Sequence, residues 1–244
     1  MREEDGGVFG GEFRTRVFRR GDPPPTAVDF SASAKVVAKK RRFAAEGRFL
    51  TGAPDPERRR RVPPGQSVVK TWPVLDLGHQ PAVDKPDWSL TVGGWVERPL
   101  QWRWDDLATR ATDEALSDIH CVTAWSRLDN RWRGLAFRTL MDWVRPRAEA
   151  RFAVVKSYDG YATNLPIADL AAPGAMLATH WEGAPLTREH GAPARLIVPH
   201  LYFWKSAKWV RHIWFVDRDA PGYWERLGYH PRGDPWREQR YGGP

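Results

Sequence analysis

The distribution of tryptophan constrains the fold of this chain most strongly. All fourteen tryptophans lie at or after Trp72, whereas residues 1–70 hold 16 basic and 9 acidic side chains. Tryptophan side chains supply much of the area of a core, and a highly charged segment that contains none has less apolar surface to bury. The sequence therefore predicts a basic N-terminal arm over residues 1–61 and a packed domain over residues 62–244.

The arm has one segment of helical composition. Residues 31–46 combine alanine, lysine and arginine and stop before Gly47, which predicts one helix. The arginines at 58–61 carry much of the excess positive charge. Two interpretations stay open: a solvated arm packed loosely on the domain, or a docking surface for an acidic protein or nucleic acid. Residues 71–244 are nearly neutral, with 22 basic and 21 acidic side chains, so nucleic acid is not expected as a partner of the domain.

The domain alternates short β-rich segments with a few short helices. Strands are predicted over 88–96, with a glycine irregularity at 93–94, and over 116–122, 151–158, 175–180, 194–199 and 210–216. Helices are predicted over 105–108, 137–144 and 166–170. Because no regular strand–helix–strand rhythm is present, a single mixed α+β domain with long functional loops is favoured over a doubly wound sheet.

Several classes of protein are excluded by composition and by missing motifs. The single cysteine excludes an intrachain disulfide and any metal site built from several protein thiolates. No apolar run approaches the length of a membrane-spanning helix. The pair Arg19-Arg20 precedes glycine and proline instead of an apolar export segment, so a cytoplasmic protein is expected. Glycine-rich nucleotide loops, zinc-protease motifs and a hydrolase serine motif are also missing.

Two parts of the sequence carry candidate chemistry. A lone cysteine is most often a small buried residue. Cys121, however, follows a predicted strand beside His120 and precedes a stretch expected to be irregular, so its thiolate is also a candidate ligand or nucleophile. Residues 190–209 combine His190 and Arg195 with lysines at 205 and 208, which favours a cradle for an anion such as a phosphate over a solvated loop.

Four segments in this order resemble the molybdopterin-binding domain of the sulfite oxidase family, and in particular its compact bacterial members. They are CVTAWS at 121–126, DGYATNLP at 159–166, HGAPARLIVP at 190–199 and WKSAKW at 204–209. The resemblance extends over about residues 62–240. It implies an α+β fold of that type and a molybdenum–molybdopterin cofactor.

The resemblance also implies a role for individual residues. Cys121 matches the protein thiolate that binds molybdenum, Tyr161 the active-site tyrosine, and Arg127 a positive charge where an oxyanion substrate or product lies. The expected contacts of the pterin and its phosphate are Ser157, His190, Arg195, Ser206, Ala207 and Lys208, with Leu75, Asp76 and His79 from the loop 72–79. An alternative stays open in which Arg127 pairs with Asp129 at the surface and Tyr161 only packs.

The function implied by the resemblance is transfer of an oxygen atom to or from a small sulfur-type substrate, an oxyanion or a sulfoxide, at a molybdenum cofactor. Because the sequence contains no haem domain, a separate electron-transfer protein is the expected partner. Two alternatives remain open. One is a sulfoxide or N-oxide reductase that uses the same residues, and the other is a non-catalytic cofactor-binding or electron-transfer protein on the same fold.

Overall fold

A computed structural model describes Arg42 and residues 60–242 of the chain. Arg42 is helical, and the remainder of the helix predicted over 31–46 lies outside the described residues, as does most of the N-terminal arm. In the described part of the chain, no helix has the length and apolar character needed to cross a membrane.

Residues 60–242 form short strands and shorter helices, as the sequence predicts. The strands are β1 (Ser67–Val68), β2 (Ser89–Gly94), β3 (Leu100–Arg103), β4 (Asp113–Cys121), β5 (Trp125–Ala136), β6 (Phe152–Ser157), β7 (Ala162–Pro166), β8 (Met176–Trp181), β9 (Ala184–Pro185), β10 (Arg195–Ile197) and β11 (Val210–Val216). The α-helices are α1 (Trp104–Ala108), α2 (Phe137–Val144), α3 (Ile167–Leu170) and α4 (Tyr223–Arg226). Single turns of 3₁₀-helix cover Lys85–Asp87, Arg188–His190 and Phe203–Lys205.

The strands form two mixed sheets. The first has the order β1-β5-β8-β10, with β4 paired along β5 and β9 paired to β8. The second has the order β3-β2-β11-β6-β7, in which β11 runs parallel to β2 and antiparallel to β6. One hydrophobic cluster contains buried residues of both sheets. The α+β class predicted from the sequence is therefore confirmed, with two mixed sheets and few helices.

Local sequence signals explain the elements that the sequence predicts most closely. In α2, Phe137, Leu140 and Val144 are fully buried because their spacing places them on one helix face. The helix ends where Arg145 adopts a left-handed conformation (φ 50°) before Pro146. In β2, Gly94 has φ 86°, and a Cβ atom there would lie 2.1 Å from the carbonyl oxygen of Phe215, so only glycine fits this contact.

Three sequence predictions need correction. The stretch that carries Trp125 and Arg127 is not irregular, since after a three-residue turn Trp125 begins the twelve-residue strand β5, which pairs with β4 over nearly its full length. The strand predicted to resume at residues 95–96 ends at Gly94, and Val96 makes only an isolated bridge. Pro166 is the last residue of β7 and precedes α3 as its N-cap, instead of forming its first turn.

Candidate active site

A cavity lies where the end of β4, the loop before β2, the β6–β7 turn and the segment 190–209 meet. Seven of the predicted site residues form part of its wall: Cys121, Tyr161, His190, Arg195, Lys208, Leu75 and Asp76. Segments far apart in the sequence thus converge on one space, as a cofactor site requires.

The thiol of the cavity belongs to Cys121, the last residue of β4. The connection to β5 is only three residues long, and Ala124 adopts φ 69°, as expected in a tight hairpin with one left-handed residue. The Thr123 hydroxyl donates a hydrogen bond to the Cys121 sulfur at 3.1 Å. Within residues 60–242, no three His, Cys, Asp or Glu side chains converge on a metal site. A metal bound by Cys121 would therefore take its remaining ligands from a cofactor, substrate or water.

Arg195 is a buried cation whose side chain contacts no carboxylate of the described residues. It is 1 % exposed, and its guanidinium donates to the carbonyl oxygens of His190 and Ser206, each at 2.8 Å. Its carbon Cζ lies 5.2 Å from the Trp72 ring centre and 4.4 Å from that of Phe203. Burial lowers the pKa of Arg195 to about 9. A guanidinium in such surroundings is suited to a ligand anion, because only an anion supplies the missing counter-charge.

His190 and Lys208 lie next to this guanidinium. The imidazole of His190 stacks on Trp72 at 4.0 Å between ring centres, and its Nε2 atom is 3.3 Å from the Trp72 carbonyl oxygen. Burial lowers the pKa of His190, so the ring is neutral near pH 7. The Lys208 ammonium donates to the carbonyl oxygen of Glu189 at 2.6 Å. The three side chains give this end of the cavity its positive charge and its hydrogen-bond donors.

Tyr161 and Asp159 occupy the β6–β7 turn at the cavity wall. The Tyr161 hydroxyl donates to the carbonyl oxygen of Trp204 at 2.5 Å, and burial raises its pKa well above the ordinary value. The Asp159 carboxylate accepts the backbone N–H of Tyr161 at 2.9 Å. Burial also raises the pKa of Asp159, to about 6. The turn therefore brings one phenol and one perturbed carboxyl group to the cavity.

Ser206 and Ala207 hold the neighbouring strand β10 and Val198 after it by hydrogen bonds, Ser206 through its carbonyl and its hydroxyl and Ala207 through its carbonyl. The Ser206 carbonyl accepts a hydrogen bond from Arg195, and its hydroxyl accepts the N–H of Val198 at 2.9 Å. The Ala207 carbonyl accepts the N–H of Leu196 at 2.8 Å. These contacts fix the segment that carries Lys208.

Lys205 does not join the anion cradle expected from the sequence. Its ammonium is fully buried and forms an ion pair with Glu225 at 2.6 Å. It also donates to the carbonyl oxygen of Asn164 at 2.8 Å. The 3₁₀ turn over Phe203–Lys205 directs Lys205 away from the cavity, so the cradle has one ammonium group, that of Lys208.

Besides Ser206 and Ala207, three predicted site residues lie outside the cavity wall. Ser157 is buried at the end of β6, and its hydroxyl has no hydrogen-bond partner among the described residues. His79 is exposed in the loop after Asp76. Arg127 forms an ion pair with Glu182 at 3.2 Å and lies 4.5 Å from the Trp181 ring centre, instead of pairing with Asp129 as the alternative held. The site roles of these residues remain predictions.

Several residues of the cavity wall were not predicted from the sequence as site residues. Asp159 and Trp125 lie within the segments that carry the family resemblance, but neither was assigned a site role. The other aromatic members without an assigned role are Phe203, Trp204, Trp209, Trp224 and Tyr229. The high tryptophan content of the domain was the available sequence signal for these aromatic residues. It does not distinguish a side chain in the core from one that lines a cavity.

Comparison with protein families decides the classification. Residues 77–224 match the model of the oxidoreductase molybdopterin-binding domain, which is more than half of the chain. The chain belongs to this family. Its cofactor is molybdopterin, as the sequence resemblance implied.

The individual relatives of this chain have names that are consistent with this family. The chain is 46 % identical over 182 residues to the uncharacterized oxidoreductase YuiH of Bacillus subtilis, a match that covers 74 % of this chain and 92 % of that protein. It is 27 % identical over 186 residues to the catalytic subunit MsrP of a protein-methionine-sulfoxide reductase of Xanthomonas axonopodis, with 64 % of this chain and 58 % of MsrP covered. This chain therefore spans only a little over half of the length of MsrP.

A solved structure supports the fold of the molybdopterin-binding domain. The crystal structure of the sulfane dehydrogenase SoxCD from Paracoccus pantotrophus superposes with a TM-score of 0.53 at 21 % sequence identity. The superposition covers 58 % of this chain and 41 % of the SoxCD chain. At this identity the comparison concerns the fold alone.

The described residues fit the molybdopterin cofactor in two respects. The buried guanidinium of Arg195, with Lys208 beside it, matches the needs of a phosphate group. The thiol of Cys121 lies on the same cavity wall and supplies one soft ligand of the kind that molybdenum takes beside the pterin sulfurs. The cavity therefore holds residues suited to both ends of the cofactor.

Proposed function

We propose that this protein transfers an oxygen atom to or from a small sulfur-containing substrate at its molybdenum cofactor. Molybdenum held by the pterin and by Cys121 would supply the two-electron oxygen-atom chemistry. We further propose that the substrate is neutral, such as a sulfoxide, and that the physiological direction is reduction. The protein residues would bind the cofactor, exclude water and orient the substrate oxygen.

The observation that carries this proposal is the apolar character of the wall beside Cys121. Val122 follows Cys121 in the chain, Trp125 lies opposite it in the pair of β4 with β5, and the wall also contains the side chains of Trp204, Trp224 and Tyr229. The cationic members are Arg195 and Lys208, which belong to the proposed phosphate end, and the acidic members are Asp76 and Asp159. A neutral molecule with an apolar body and one oxygen acceptor is suited to this wall, because its burial leaves no charge uncompensated.

A sulfite dianion would need a cation to replace its hydration as it enters the cavity. Arg127 was the sequence candidate for that role, but its guanidinium already contacts Glu182 and also donates to Asn130 at 2.5 Å. It is not part of the cavity wall. This arrangement supports a neutral substrate over sulfite.

The proposed reaction is a two-electron reduction of the sulfoxide. The sulfur–oxygen bond of the sulfoxide breaks, the sulfur is reduced to the thioether, and two electrons with two protons convert the oxygen to water. A separate electron-transfer protein would supply the electrons. The relationship to MsrP, whose name states activity on protein-bound methionine sulfoxide, supports the sulfur-type substrate class.

Steady-state kinetics of the full chain test the proposal. Protein produced in a host that makes the molybdenum cofactor is assayed with dimethyl sulfoxide and a reduced viologen dye, and separately with sulfite and ferricyanide. We expect measurable kcat/KM for dimethyl sulfoxide and at least tenfold lower kcat/KM for sulfite. Efficient sulfite oxidation without sulfoxide reduction would contradict the choice of substrate, and molybdenum-loaded protein inactive in both assays would support the non-catalytic alternative.

A further inference from the structure

Trp125 is a buried hydrogen-bond donor without an acceptor in the described structure. The residue is 1 % exposed and forms part of the cavity wall. Its indole N–H, on atom Nε1, has no hydrogen-bond partner among the described residues. A buried donor left unpaired typically costs about 1–3 kcal/mol, so such groups usually have a partner.

The position of Trp125 relates this donor to the cysteine. Trp125 is the first residue of β5, and it lies directly opposite Cys121 in the antiparallel pair with β4. Side chains of directly opposed residues lie on the same face of a sheet, with their Cβ atoms about 4.5–5.5 Å apart. The indole and the thiol therefore lie side by side on the cavity wall.

Two other tryptophans of this protein donate their indole N–H to a protein acceptor. The Trp88 indole donates to the carbonyl oxygen of Val210 at 3.1 Å, and Trp88 is also 1 % exposed. The Trp204 indole, in the cavity wall, donates to Glu225 at 3.0 Å. Trp125 thus differs from them in having no acceptor among the described residues, although its burial equals that of Trp88.

We propose that the Trp125 indole N–H donates a hydrogen bond to the oxygen atom of the substrate bound beside the Cys121 sulfur. This inference rests on the proposed function. A sulfoxide oxygen is a strong neutral acceptor, and a neutral donor in an apolar wall binds it without introducing a charge. The bond would fix the direction in which the oxygen points as the substrate enters.

The test compares Trp125→Phe with Trp88→Phe, both in the full molybdenum-loaded chain. Each change removes the same ring volume and the same N–H, but only Trp88 loses a hydrogen bond to the protein. In the absence of substrate, we expect Trp88→Phe to have a melting temperature roughly 2–4 °C below that of Trp125→Phe. With dimethyl sulfoxide, Trp125→Phe should lower kcat/KM about tenfold at unchanged molybdenum content, and Trp88→Phe should leave kcat/KM per loaded site unchanged.

Three results would overturn the inference. Equal melting temperatures of the two variants would indicate that the Trp125 N–H has a protein acceptor. A loss of molybdenum from Trp125→Phe with unchanged kcat/KM per loaded site would assign the N–H to the cofactor. Unchanged kcat/KM and unchanged molybdenum content would remove Trp125 from the site. Wild-type protein that holds molybdenum without reducing dimethyl sulfoxide would contradict the proposed function and the substrate assignment, while the melting comparison would still decide whether this donor lacks a protein partner.

Discussion

The guanidinium of Arg195 lies over the ring of Trp72, with 5.2 Å between its carbon Cζ and the ring centre. This contact joins β10 to the loop before β2, two segments far apart in the sequence. The ring attracts the cation without neutralising it. Arg195 therefore keeps its charge for a ligand, in contrast to Arg127, which lies over Trp181 but also pairs with Glu182.

Removal of the thiol should separate catalysis from cofactor binding. We expect Cys121→Ala to abolish turnover and to retain most of the pterin, because the phosphate end is held by Arg195 and Lys208 on another segment. Pterin released on denaturation and sulfoxide turnover are measured on the same sample. An active Cys121→Ala variant would show that another group binds the metal.

The Tyr161 hydroxyl is expected to contribute to the rate. Tyr161→Phe should lower kcat roughly tenfold for sulfur-type substrates, the effect of one hydrogen bond made in the transition state. The hydroxyl also donates to the carbonyl oxygen of Trp204, so a purely structural role is the competing hypothesis. If Tyr161→Phe lowers the melting temperature but leaves kcat unchanged, the structural role is correct.

Asp159 should make the protein less stable as the pH rises. Because burial raises the folded-state pKa to about 6, its stabilising contribution is complete below the ordinary pKa of 3.8 and is lost as the pH rises through 6. Asp159→Asn keeps an oxygen acceptor for the Tyr161 N–H but does not titrate. At pH 7.5 we expect this variant to be more stable than the wild type by about 1–3 kcal/mol in cofactor-free protein.

The free energy of unfolding in urea is compared between the variants and the wild type at pH values from 4 to 7.5. Asp169→Asn is the control, because its effect on stability should have the opposite sign to that of Asp159→Asn. Burial acts to raise its pKa, but hydrogen bonds from His200 and Arg232 outweigh burial, so the pKa is lowered. Its stabilising contribution is present above 3.8 and is lost only as the pH falls through the lowered pKa. Asp169→Asn should therefore destabilise the protein at pH 7.5. Destabilisation by Asp159→Asn as well would contradict the assignment of a perturbed carboxyl group.

The N-terminal arm is expected to be dispensable for the cofactor. Arg61 contacts Asp118 and Asp129, each at 2.6 Å, so a shortened chain that begins at residue 60 retains these ion pairs. We expect it to fold and to bind molybdenum as the full chain does, because the described cavity wall begins at Trp72. A shortened chain without cofactor would show that the arm belongs to the site. Slower electron exchange only at low salt would instead support docking of an acidic partner through the arm.

Local sequence patterns predicted part of the fold well. The bounds of α2 and β11 agree with the sequence because apolar spacing, flanking residues and Pro146 define them locally. The strand β5 was missed because its charged and polar residues, such as Asp129 and Asn130, do not resemble a strand. Its pairing with β4 and β8 overrides that local preference.

The candidate site was predictable in composition but not in side-chain direction. Family resemblance identified Cys121, Tyr161 and Arg195, and the structure places all three on one cavity wall. The sequence did not show that Lys205 would pair with Glu225, since that contact depends on packing between α4 and the 3₁₀ turn. The sequence also did not show that the Trp125 indole N–H has no acceptor among the described residues, because hydrogen-bond partners depend on the fold.

The content of molybdenum and pterin phosphate tests the central claim most directly. Protein from a cofactor-producing host should contain about one molybdenum and one pterin phosphate per chain. Arg195→Met should reduce this occupancy markedly, because a hydrogen bond to a charged group contributes about 1.5–3 kcal/mol, whereas Arg127→Met should retain it. Zinc or no metal in the wild type, or equal occupancy in the two variants, would contradict the assignment of this cavity as the cofactor site.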